Sequence, residues 1–275
     1  MAEYGHGSHW SCFTDEEALV SKHLPGLIED GIVGDTAVLY GDFFEDQGPL
    51  ETTVYSLVPP DDPISGIALV AINQPDETLE LVSAYPYIKG GTTLSLRIDE
   101  IHEWPNQYEA VISGSTASGT EISFFDTKYF AKKNAYLRGE EYEFSIAASA
   151  YSAEAPDRTF QFEGQQAVDF LAKTGRTPNR DEDGSISPVV FDLSNLVAYL
   201  PRGGTFPDDA EFQSPVVEID ETYGFDNAFY RLKIHLSREP DVLIDLYARR
   251  HMFREAPAET DPVRGVLWMQ GHLLD

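Results

Sequence analysis

The chain has 275 residues, 42% of them hydrophobic and 12% aromatic, with 47 Asp and Glu against 19 Lys and Arg and a net charge of −28. This apolar share excludes disorder along most of the chain, and no apolar run reaches the roughly 18–20 residues that span a bilayer. The charge opposes contact with polyphosphate, nucleic acid and anionic lipid, and a lone cysteine, Cys12, excludes an intramolecular disulfide and a Cys-only zinc site.

The charge is lopsided. Residues 1–90 hold sixteen Asp and Glu against Lys22 and Lys89, whereas 229–275 hold seven of each sign. A solubilising surface, adaptation to high salt and an acidic face for a basic partner are the three readings of that skew. The polar N-terminus lacks the basic-then-apolar order of a secretory signal, and with the single cysteine this predicts a cytoplasmic location.

In chain order, 15–23 reads as a helix ending before Pro25. Segments 36–40, 52–58 and 66–72 read as strands between Pro-rich turns. Leu94, Leu96 and Ile98 alternate with polar residues, and Ile101 falls out of phase, which predicts a β-bulge at Asp99–Glu100. Tyr108, Ala110 and Ile112 give the next strand, 113–119 a Gly/Ser/Thr loop, and 121–125 a third strand. Asp126 reads as the cap of a short helix bearing Tyr129, Phe130, Tyr136 and Leu137, stopped by Gly139. Tyr142, Phe144, Ile146, Ala148 and Ala150 then mark a half-buried strand.

This order of three strands, a short helix and a strand over about 88–163 resembles the OB-fold, a small Greek-key barrel with a helix between its third and fourth strands. Further on, 164–175 reads as a helix stopped by Gly175, and 192–199 as another capped by Asp192. A strand over 211–220, a hairpin with Tyr230, Leu232, Ile234 and Leu236 opposite Val242, Ile244 and Leu246, and a final buried strand over 265–271 suggest a second, degenerate OB-like unit. The expected fold is mainly β, all-β with a few short helices, built of OB-fold-like antiparallel barrels, with a β-sandwich as the alternative. The expected units are an acidic β-rich region 1–86, an OB-like barrel 87–163, a helical and loop connector 164–205, and a second OB-like domain 206–275.

Three clusters carry chemistry. Asn179, Asp181, Asp183 and the Ser185 carbonyl, with Gly184 between, place oxygen ligands on alternate residues as an EF-hand-type calcium loop does. Position twelve is Val190 rather than a bidentate Glu, and the competing reading is an acidic loop with Asx turns. Arg231, Lys233 and His235, joined by Arg249, Arg250, His251 and Arg254, are the one concentration of positive charge and suggest a site for single-stranded nucleic acid or an anionic ligand; cross-strand ion pairing is the competing reading. His6, His9 and Cys12 have metal-ligating chemistry but sit in a segment read as a mobile tail. His102, at a strand end, is a candidate general base or a plain edge histidine. No nucleophile elbow, phosphate loop, zinc helix or dinucleotide fingerprint is present.

These features favour a non-enzymatic interaction protein: an acidic β scaffold that binds a protein partner, basic in character, with nucleic-acid mimicry as its narrower form. The alternatives are an OB-type nucleic-acid or anionic-ligand binder acting through Arg231, Lys233, Arg249 and Arg250, and a metal-dependent enzyme, with calcium the cofactor its loop suggests.

Overall fold

The computed structural model describes residues 7–44, 48–59, 62–73, 77–182, 184–202 and 207–274. The fold is mainly β, as the alternation requires. Helical chain opens it: a 3-10 turn (Gly7–Cys12), then α1 (Glu16–Ala18), a wide π turn (Leu19–His23) and α2 (Leu24–Asp30). The helix therefore does not stop before Pro25. Proline lacks an N–H, and the π turn just ahead of it absorbs the lost bond while Pro25 sits in the first turn of α2.

Strands β1 (Ile32–Gly41), β2 (Leu50–Val58), β3 (Ile64–Asn73) and β4 (Thr78–Ile88) form an antiparallel meander, with β4 running through the expected boundary at residue 86. Strand β5 (Thr92–Glu103) follows, with its register shifting between Ile98 and Glu100 where the phase slip predicted a bulge. Next come β6 (Ala110–Ser115), β7 (Glu121–Asp126), α3 (Tyr129–Lys132) and β8 (Glu141–Glu154).

An excursion then holds β9 (Thr159–Phe162), α4 (Gly164–Lys173) and β10 (Val189–Asp192), before the short edge strand β11 (Ala198–Pro201). The helix expected over 192–199 is absent. Asp192 accepts from the Ser194 backbone N–H at 2.9 Å, an Asx turn between two strands rather than a helix cap. The chain closes with β12 (Asp209–Gly224), β13 (Asn227–Arg238), β14 (Asp241–Arg249), a 3-10 turn (Arg250–Met252) and β15 (Pro262–Leu273).

Two closed rings of five strands result. The first runs β5–β6–β7–β15–β8 and back to β5; the second runs β12–β13–β14–β8–β15 and back to β12. Each half of the chain supplies strand, strand, strand, helical turn, strand, and each fourth strand also serves as the fifth strand of the other ring. The pairings that complete this exchange, β14 with β8 and β15 with β7, are parallel, unlike the all-antiparallel barrels expected. The first strand of the second ring carries a register shift too, between Val216 and Glu218.

The interiors form one apolar cluster. On the shared ribbon Ala148 faces Met269 and Ala150 faces Leu267, small against large, the alternation that lets two packed layers interdigitate. The outer side of the ribbon presents fully buried Trp268 to a second cluster, where Leu39, Val54, Leu69 and Tyr85 of the four-stranded sheet pack on it. The N-terminal turn is no mobile tail. Trp10, Cys12 and Phe13 are buried in the joint, and Trp10 Nε1 donates to Ala84 O at 3.2 Å. No helix among the described residues is long and apolar enough to cross a membrane.

Candidate functional site

The cationic residues singled out from the sequence do not gather into one groove. Arg231 and Lys233 lie on β13 and reach across to β12, where Arg231 Nη2 meets Asp220 at 2.5 Å and Lys233 Nζ meets Glu218 at 2.7 Å. Arg250 pairs with Glu221 at 3.3 Å and lies over the Tyr230 ring at 5.2 Å. Arg249 points elsewhere, donating from Nη2 to Ser11 O at 2.8 Å. Three of the four charges are thus matched by carboxylates of β12.

The 179–187 loop closes on itself as a small hairpin. Ser187 N donates to Asn179 O at 3.0 Å, and Asp181 N donates to the Ser185 carbonyl at 2.9 Å, so that carbonyl serves the backbone. Ser187 Oγ and Ser185 Oγ donate to the two Asp181 carboxylate oxygens at 2.6 and 3.3 Å. Asp183 lies outside the described residues, as does His6. Among the described residues no group of three or more His, Cys, Asp or Glu is arranged to hold a metal ion.

His9 and Cys12 instead belong to a buried polar knot behind the shared ribbon. The His9 ring stacks on Trp268 at 4.3 Å and its Nδ1 bonds the Tyr151 hydroxyl, which also interacts with Asp209. Burial pushes the His9 pKa down to about 3, so the ring is neutral at physiological pH. Burial raises the Cys12 thiol well above its ordinary range, which favours its protonated form. His102 Nε2 lies 3.7 Å from a Glu100 carboxylate oxygen.

Two features carry recognition chemistry that the sequence did not single out. The first is the outer face of the four-stranded sheet. Register places Thr36, Tyr55, Val70 and Leu81 in one row across it, with Val38 beside Thr53, Tyr40 beside Glu51 and Leu79 beside Ile72 on the same face. Helix α2 covers one half, its Leu27 packing on Leu57, Ala68 and Val70. Among the described residues the other half is bare, with Val38, Tyr40, Leu79 and Leu81 between 48% and 63% exposed. Asp42, Glu51, Glu77 and Glu80 lie on or beside these strands.

The second is a cleft of about 750 Å³ next to the 3-10 turn Arg250–Met252, floored by the ends of β8, β12 and β15 and walled by β11. Leu196, Leu200, Met252 and Val266 give it apolar sides, and Arg249, Arg264 and Tyr151 polar ones. Comparison with known protein families, with curated proteins and with solved structures found no match to this chain.

Proposed function

We propose that the chain is a non-enzymatic interaction protein, an acidic β scaffold that docks a basic protein partner on the outer face of β1–β4. The observation that carries this is the uncovered half of that face. Exposed Val38, Tyr40, Leu79 and Leu81 form an apolar patch on a sheet whose other half needed α2 to cover it. Such a patch in a segment with sixteen acids and two lysines supplies apolar anchors inside a negative rim. A second copy of the chain would bring acid against acid across it, whereas a basic partner gains from both terms.

The test is capture at low ionic strength on the wild-type chain and on a Val38→Glu/Leu81→Glu variant. Both side chains are exposed, so the variant folds. A basic partner is expected to remain on the wild type, to be missing from the variant, and to be released as salt approaches about 0.5 M, where screening shortens to a few ångströms. Partners retained equally by both proteins would sink the docking face. Retention by the variant with salt release intact would favour nucleic-acid mimicry, which needs carboxylates alone. The nucleic-acid reading draws less support, because Arg231, Lys233 and Arg250 are engaged with Asp220, Glu218 and Glu221.

A further inference from the structure

The two rings differ in what joins their third and fourth strands. In the first, α3 buries Tyr129 and Phe130, and Tyr136 follows them into the core. In the second, the 3-10 turn Arg250–Met252 contributes no buried residue. The cleft of about 750 Å³ opens beside this thinner turn, within the size range of small-molecule sites.

Its charges are unevenly matched. Arg264 Nη2 meets Glu154 at 2.8 Å, and Glu211 is met by Arg202 at 3.1 Å. Arg249 has no carboxylate within 4 Å among the described residues; one Nη donates to a backbone carbonyl, and its Nε is buried without a partner. Arg249 lines the cleft with guanidinium donors to spare, and a charge-assisted hydrogen bond from them to an anion is stronger than one between neutral groups. Such a guanidinium beside an apolar wall is notable in a chain with 47 acids to 19 bases.

We infer that this cleft binds a small amphipathic organic anion, with its carboxylate or sulfonate at Arg249 and its apolar body along Leu196, Leu200, Met252 and Val266. The apolar wall selects against inorganic anions, and the guanidinium selects against neutral hydrocarbons. The site is separate from the sheet face and does not depend on it.

Calorimetric titration of the full chain with octanoate, and in parallel with octan-1-ol, tests this. Octanoate is expected to bind saturably with one site per chain and more tightly than the alcohol. In Arg249→Gln its affinity falls about ten- to hundredfold, the worth of a hydrogen-bonded charge, while the alcohol is unaffected. Leu200→Glu, at a side chain 61% exposed and so tolerated by the fold, abolishes binding of both ligands; it decides the matter if Arg249→Gln fails to fold. Arg231→Gln, outside the cleft, leaves octanoate binding unchanged. Absence of saturable octanoate binding, or equal binding by wild type and Leu200→Glu, overturns the inference.

Discussion

Asp208 accepts a hydrogen bond from Trp268 Nε1 at 2.8 Å in the joint between sheet and ribbon. Burial pushes its carboxyl up to about 7, against the Trp268 bond and with the help of neighbouring Asp209. The folded chain therefore keeps a proton that the unfolded chain releases near pH 4. Between about pH 4 and pH 7 folding stability falls as pH rises, and the penalty is complete above the folded value. Asp208→Asn retains an acceptor for Trp268 and removes the titration. Urea unfolding at pH 5 and pH 8 is expected to show a flatter dependence for the variant, with a gain on the order of 2 kcal/mol at pH 8. Equal slopes for the two proteins would show that the site does not couple to folding.

The shared ribbon leaves no slack at Gly265. A Cβ there would stand 1.9 Å from Ser152 O on β8, so Gly265→Ala forces apart the two strands on which both rings depend. A loss of about 3 kcal/mol or more, read as a fall in Tm of around 10 °C, is expected. Gly90→Ala, where a Cβ meets nothing within 4 Å, is the matched control. The β9–α4–β10 excursion behaves oppositely. Its Phe160, Phe162, Phe170 and Phe191 rings pack on one another at 5.1–6.3 Å and join none of the core clusters. Leu193 N donates to Arg158 O at 2.8 Å, so the ends of the excursion already touch. Replacing 159–192 by a short Gly-Ser turn is expected to keep a single cooperative melt. Loss of cooperativity would mean that the excursion supports the rings.

How far the sequence spoke depended on distance along the chain. The alternation of Phe144, Ile146, Ala148 and Ala150 and the phase slip at Asp99–Glu100 are local, and strand and bulge both form. The strand is not half-buried, however: Ser145, Ala147 and Ser149 on its other face are buried too, because the four-stranded sheet packs behind it. Exchange of the fourth strands is set by pairings between residues about a hundred or more apart, such as Leu246 with Ala148 and Gln270 with Phe125, and leaves no local mark. The exposed apolar face of β1–β4 was hidden for another reason: Ala37, Val38, Leu39 and Tyr40 are apolar on both parities, a pattern shared by strands buried on two faces and strands bare on one. Arg249 and Tyr151 reach one cleft through folding alone.

A net charge of −28 spread over one molecule makes its stability depend on screening. The melting temperature is expected to rise between about 10 mM and 0.3 M NaCl and then level off as the Debye length drops toward about 3 Å. A rise that continues into the molar range would instead mark adaptation to high salt. The most direct probe of the proposed docking face is hydrogen exchange of the chain alone and bound to a captured basic partner. Protection is expected in 36–41 and 78–82, with exchange in 231–236 unchanged. Protection confined to β13 or to the Arg249 cleft, with β1 and β4 unaffected, would contradict a partner seated on the acidic sheet.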